Sequence, residues 1–281
     1  FLKKFNMYRK FIRHNPKNPV LITVPHSGDF YPDVFLKNIR LDLDKIRKIE
    51  DFKSDQIIKF VSKDVADVIV AQCSRAVVDL NRSRKAIDNN MFEKIILNSN
   101  ADEKKMLSYG LGVFPKLIQN ENIFKEKLPT SYGNYILENF YDPFHLNVNS
   151  QIETLFSKFG VCYHFDLHSM PHKAVKNMKN KPDIVLGNNY HKSCSLEFMH
   201  YIKSSFEKYG LKVSVNDPYA GGFITRHYGN PSKGIETLQI EVNRNLYMDE
   251  QNLLLKNINL VQEIFSKIFN LFSYSPRIAA E

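Results

Sequence analysis

Two histidines stand out by where they fall in the chain. His26 lies in Val24-Pro25-His26-Ser27-Gly28, directly after the β-branched run Val20 to Val24. His168 lies in Asp166-Leu167-His168-Ser169, at the exit of the apolar run Val161 to Phe165. A lone histidine behind a strand is usually a hydrogen-bonded turn residue. Asp166 alters that balance, because residues two apart in an extended segment point to the same side. Two imidazoles, one with a carboxylate close by, fit a zinc ion completed by an acid and a position open to water. Asp166 is then an outer group orienting the ligands, or a ligand itself. The acid has two candidates: Asp29, three residues after His26, and Asp55, at the head of Gln56 to Val61. Asp29 also suits a turn before Tyr31-Pro32, and Asp55 a helix N-terminus. Spacing does not choose between them.

Other residues could serve the same chemistry. Glu241 sits between Ile240 and Val242, where a carboxylate is costly to bury unless it is paired or functional. Arg82, after Asp79-Leu80-Asn81, and Arg226, behind Gly221-Gly222, are candidate forks for a substrate carboxylate. The glycines permit a tight loop that approaches a ligand closely. There is no phosphate-binding glycine loop, no GxSxG elbow and no HExxH pair. Cys162, among apolar neighbours, reads as an inert buried thiol.

Strands alternating with helices must position these residues. Val20 to Val24, Val68 to Ala71, Ala76 to Leu80, Val161 to Phe165, Ile184 to Leu186, Lys212 to Val215 and Leu238 to Val242 read as strands. Helices are expected over Ile46 to Val65, in two pieces with Ser54 capping the second, and over Tyr135 to Phe159 with a break near Pro143. Two more are expected over Ser193 to Tyr209 and Asp249 to Phe272. Residues 83 to 132 form the least regular stretch. The pattern predicts one α/β domain over residues 1–281, with a basic arm at 1–18, a core at 19–273, a mixed sheet and helices on both faces. In such sheets ligands bind where strand carboxyl ends converge.

Composition bounds the rest. The 281 residues, 43% hydrophobic and 25% charged, suffice for a buried core. A net charge of +9 raises nucleic acid as a partner, but the lysines are scattered rather than clustered, so none is expected. No apolar run has the length a bilayer requires, and Phe1 to Arg13 lacks the uninterrupted apolar stretch of a secretory signal. Three cysteines without CxxC spacing suit a reducing cytoplasm.

Taken together, the segments resemble the N-formylglutamate amidohydrolase family. The resemblance is carried by Val24 to Gly28 with Tyr31-Pro32, Ser54-Asp55, Ser74 to Arg82 and Gly110 to Pro115. It continues through Asp166 to Ser169, Gly222 to Gly229 and Leu238 to Met248. The family looks related to zinc carboxypeptidases and aspartoacylases, which implies a mostly parallel sheet of about eight strands and one zinc. It favours Asp55 over Asp29 as third ligand beside His26 and His168. It implies Glu241 as general base, Asn81-Arg82 on a substrate carboxylate, and Arg226 or His227 at the oxyanion, with Arg75 and Tyr228 lining the substrate site. The implied substrate is a small acidic N-acyl amino acid, N-formyl-L-glutamate foremost. The rivals are a hydrolase for another N-acyl amino acid or a peptide end, and a non-catalytic binding protein. Where family members often carry histidine, this chain has Glu236, expected to face the pocket; the 83 to 132 loop looks rebuilt.

Overall fold

The structure is a computed structural model describing residues 8–96 and 104–273. The basic arm before residue 8 and the 97–103 part of the irregular loop lie outside the described residues. The α/β architecture is present. A seven-stranded sheet runs in the order β1-β3-β2-β6-β9-β7-β8, where β1 is Tyr8–Phe11, β2 Val20–Val24, β3 Asp67–Ala71, β6 Cys162–Met170, β7 Ile184–Gly187, β8 Val213–Val215 and β9 Ile235–Asn243. Two short ribbons stand apart, β4 (Leu117–Ile118) with β5 (Glu121–Asn122) and β10 (Met248–Asp249) with β11 (Leu254–Leu255). Among the described residues the sheet has seven strands, close to the eight or so expected. The arm's described part is the edge strand β1, and Arg13 behind it donates to buried Asp67 at 2.8 Å.

The described chain forms two compact units. One takes in Pro25–Phe52 and Val70–Asn147, and the other Lys10–Val24, Lys53–Ile69 and the chain from Val148 onward. The first is held by aromatic contacts: Phe35 meets Phe124 edge-on at 5.7 Å, and Phe114 meets Phe92 the same way at 5.2 Å. The second contains β2, β6, β7, β8 and β9. There β2, β6 and β9 run parallel, while β7 is antiparallel to β9. All nine residues of β6 are buried, yet they alternate in character. Phe165 meets Phe198 of helix Leu196–Glu207 and Phe269 of helix Ile258–Asn270, with ring centroids 5.5 and 4.9 Å apart. The period-two geometry of a strand then places His164, Asp166 and His168 on the opposite face.

Several elements differ from the sequence reading. Ala76 to Leu80 is a turn, not a strand: Val77 N–H bonds Ser74 C=O and Asp79 N–H bonds Val113 C=O. Its β-branched residues gain burial without a ladder, which overrides their strand preference. Ile46 to Val65 is not a helix. Helix Leu43–Ile46 gives way to 3-10 turns at Arg47–Ile49 and Ser54–Ile58, and Lys53, at φ 53°, rather than Ser54 takes the capping position. The break near Pro143 appears as a π-helical turn, Leu137–Tyr141, before helix Asp142–Phe159, since proline lacks the N–H an α-turn needs there. The last helix is shorter than expected, because β10 and β11 occupy its proposed first turns.

Candidate active site

β6 and β9 supply one half of the site. Their register pairs Asp166 with Gln239 and His168 with Glu241, and pairs Thr23 of β2 with Asp166. Paired residues of adjacent strands face the same side, so a file of polar groups crosses a buried sheet face. Buried polar groups must satisfy one another. His168 Nε2 lies 2.9 Å from Asp166 Oδ2, Asp166 Oδ1 accepts from Thr23 Oγ1 at 3.1 Å, and Glu241 Oε1 accepts from Gln239 Nε2 at 2.9 Å. His168 thus belongs to the strand itself, because β6 runs five residues beyond Phe165 to Met170. β2, β6 and β9 being parallel, His168 and Glu241 lie toward the carboxyl ends of their strands.

His164, on the same face, lies 2.9 Å from Thr23 Oγ1 through Nε2. Burial pushes its pKa down to about 4, partly countered by Asp166. With an ordinary unfolded value of about 6.5, the unfolded chain binds more protons between the two values, and stability falls as pH drops through that window. Denaturant unfolding at about pH 7 and about pH 5 should show a loss that is smaller in His164→Gln. Equal losses in the two proteins would rule out His164 as its source.

The other half is built around the turn after β2. Gly28 is required there, since a Cβ would stand 2.4 Å from Cys73 C=O and 2.5 Å from Gln72 C=O. His26 is 2% exposed, and its Nε2 lies 2.8 Å from Asp79 Oδ1. Its carbonyl accepts Asp51 N–H at 3.0 Å, fixing Asp51 beside it. Arg75 reaches both acids, with Asp51 Oδ1 at 3.3 Å and Asp79 Oδ2 at 2.9 Å. Burial opposes ionisation of Asp79, but the charges of His26, Arg75 and Arg82 outweigh it and hold the carboxyl well below its ordinary range.

Among the described residues, the set of buried side chains able to serve as cation ligands is His26 and Asp51, in the first unit, with His168, in the second. Neither Asp55 nor Asp29 belongs to it. Asp55 is half-buried on the Ser54–Ile58 turn and accepts from Gln56 Nε2, while Asp29 is exposed. The reading of 46–65 as helix hid Asp51 within a presumed regular element. The signal was an acidic pair, Glu50-Asp51, set between Ile49 and Phe52.

The donor set fits a metal. Two imidazoles and a carboxylate are a zinc ligand set, and each imidazole has one ring nitrogen against a buried carboxylate, the arrangement that fixes a ligating histidine. His26 Nδ1 and Asp51 Oδ2 are 3.7 Å apart, too far for a hydrogen bond and close to the spacing of two donors with bonds of about 2.0–2.2 Å to one ion.

The remaining expected residues are dispersed over both halves. Asn81 is buried and gives its N–H to Asp79, while half-buried Arg82 donates to Leu111 C=O at 3.2 Å. Helix Phe223–Tyr228 carries Arg226, His227 and Tyr228. Arg226 and His227 are exposed, and His227 stacks on Phe223 at 4.8 Å with its pKa lowered by burial. Tyr228 is buried beside His164, and burial with the charge of Asp166 pushes its phenol up, so the hydroxyl keeps its proton. Glu236 does not face the pocket. Five residues from Glu241 on one strand, it lies on the opposite face, where its carboxylate accepts Ser195 N–H ahead of helix Leu196–Glu207.

An α/β sheet with buried histidines set against carboxylates is an arrangement used by hydrolases. The family model for N-formylglutamate amidohydrolase matches residues 18–248, and the chain belongs to that family of amidohydrolase enzymes. It is similar to N-formylglutamate deformylase of Pseudomonas putida, 29% identical over 246 residues and 84% of each chain. It is also similar to that of Pseudomonas aeruginosa, 26% identical over 83% of each. A crystal structure of N-formylglutamate amidohydrolase from Ralstonia eutropha JMP134 shares the fold, with TM-score 0.85, 24% identity, and coverage of 95% of this chain and 97% of that one. Among the described residues no helix is long and apolar enough to cross a membrane.

Proposed function

We propose that this protein hydrolyses the formyl amide of N-formyl-L-glutamate, releasing formate and glutamate, with a zinc ion held by His26, Asp51 and His168. The observation that carries this reading is that each buried imidazole has one ring nitrogen against a carboxylate, His26 against Asp79 and His168 against Asp166. The substrate follows from family membership and from the activity named for both Pseudomonas relatives. When bound, such an ion supplies Lewis acidity, polarising the amide oxygen and acidifying the attacking water.

The chain's own groups do the rest. Asp79 and Asp166 each hold one imidazole in a fixed tautomer and direction. Arg75 pairs with Asp51 at 3.3 Å and helps to hold it in place, the part of a positioning residue. Glu241 takes the proton of water as it attacks the formyl carbon, then returns it to the departing nitrogen as the C–N bond breaks. Arg82 and Arg226 grip the carboxylates, and His227, neutral through its lowered pKa, donates a hydrogen bond to the developing oxyanion.

Glutamate release from N-formyl-, N-acetyl- and N-succinyl-L-glutamate, combined with elemental analysis, tests the proposal. The expected result is one zinc per chain, preference for the formyl substrate, and loss of turnover on chelation that zinc restores. Equal turnover of all three substrates, or full activity after metal removal, would overturn it.

A further inference from the structure

We propose that Gln239 is a two-ended positioning residue whose side-chain amide sets both Glu241 and the Gly221–Tyr228 segment carrying Arg226. The inference rests on the reading of Glu241 as the base. Nε2 of Gln239 donates to Glu241 Oε1 at 2.9 Å, while its Oε1 accepts Gly222 N–H at 2.7 Å and Thr225 O–H at 3.4 Å. Gly222 N–H can only donate, so the amide oxygen must face the loop and the NH₂ must face Glu241. The network thus fixes the amide's orientation.

The surroundings leave that amide little freedom. Gln239 is 4% exposed, and its register partner on β7 is Gly187. A Cβ at Gly187 would lie 2.8 Å from both Ala220 C and Gly221 N, so the loop backbone rests directly on the strand beside Gln239. Gly221 adopts φ 122°, open to glycine without strain. Arg226 donates back to Gly221 C=O at 3.1 Å, so the guanidinium is referred to the same loop. One chain of contacts therefore runs from β9 through Gln239 and Gly222 to Arg226, and links the proton acceptor with a substrate clamp. A primary amide can do this because it carries a donor and an acceptor at opposite corners. Methionine offers neither hydrogen bond at similar length, and glutamate keeps only the acceptor.

The test compares wild type, Gln239→Met, Gln239→Glu and Glu241→Gln in formate-release kinetics, with Gly222 amide exchange measured alongside. Gln239→Met is expected to lower kcat on the order of 10²-fold, as a misplaced reacting group does, and to raise KM several-fold. Gln239→Glu should lower kcat and leave KM near wild type, because an oxygen still meets Gly222 N–H. Gly222 exchange should speed up in the methionine variant and stay slow in the glutamate one. Slow exchange in both, or wild-type kcat and KM in Gln239→Met, overturns the proposal. If the methionine variant does not fold, a KM raised in Gln239→Glu together with fast Gly222 exchange overturns it as well. Wild-type turnover in Glu241→Gln instead defeats the general-base reading, whatever Gln239 does, and the exchange measurement stands apart from activity altogether.

Discussion

Replacing Glu241 with glutamine is expected to lower turnover by about 10²–10⁴-fold while the metal stays bound, the loss typical of a removed general base. Glutamine keeps the size and the polar end but cannot take a proton from water. Glu241 is 8% exposed and stands opposite His168 in the β6–β9 register, within a strand buried from Glu236 onward. Its Oε1 accepts from Gln239 Nε2 at 2.9 Å, which orients the carboxylate. The measurement is kcat for formate release together with metal content of the purified variant. Activity within tenfold of wild type would move the proton acceptor elsewhere; loss of metal would make Glu241 a ligand instead.

Replacing Asp51 with asparagine is expected to weaken metal affinity by more than about 100-fold, beyond what loss of an outer partner costs, while Asp55→Asn leaves affinity near wild type. The contrast separates the acid chosen by family resemblance from the acid chosen by geometry. Asp51 is 2% exposed, tied by its backbone N–H to His26 C=O and by its carboxylate to Arg75. Asp55 is half-buried, and its carboxylate accepts from the neighbouring Gln56 amide. Competition titration with a chromogenic chelator measures both variants. If Asp55→Asn loses the metal and Asp51→Asn retains it, the assignment of the third ligand is wrong.

Much of the candidate site was legible because it lies in strands, where period two converts sequence directly into facing. Asp166-Leu167-His168 reads as a polar pair around an apolar residue and is a polar pair on one face, and Glu241, read between Ile240 and Val242, stands opposite His168 on that face. The same rule corrects the expectation for Glu236, since an odd separation from Glu241 means opposite faces of β9. Where strand-like residues were buried without pairing, as at Ala76 to Leu80, pattern failed because the core rewards apolar burial whether or not a ladder forms.

The sequence alone determined the α/β class and the family, and it singled out both histidines and the strand carboxylate as candidates, because local periodicity and motif order are properties of contiguous residues. Tertiary structure decided which carboxylates stand beside each ring, Asp51 and Asp79 at His26 and Asp166 at His168. Asp51 lies 25 positions and Asp79 53 positions from His26, and what brings them there is a backbone bond from Asp51 to the His26 carbonyl and the side-chain contact of Asp79 with the ring. No local pattern encodes an encounter made by chain reversals of that length.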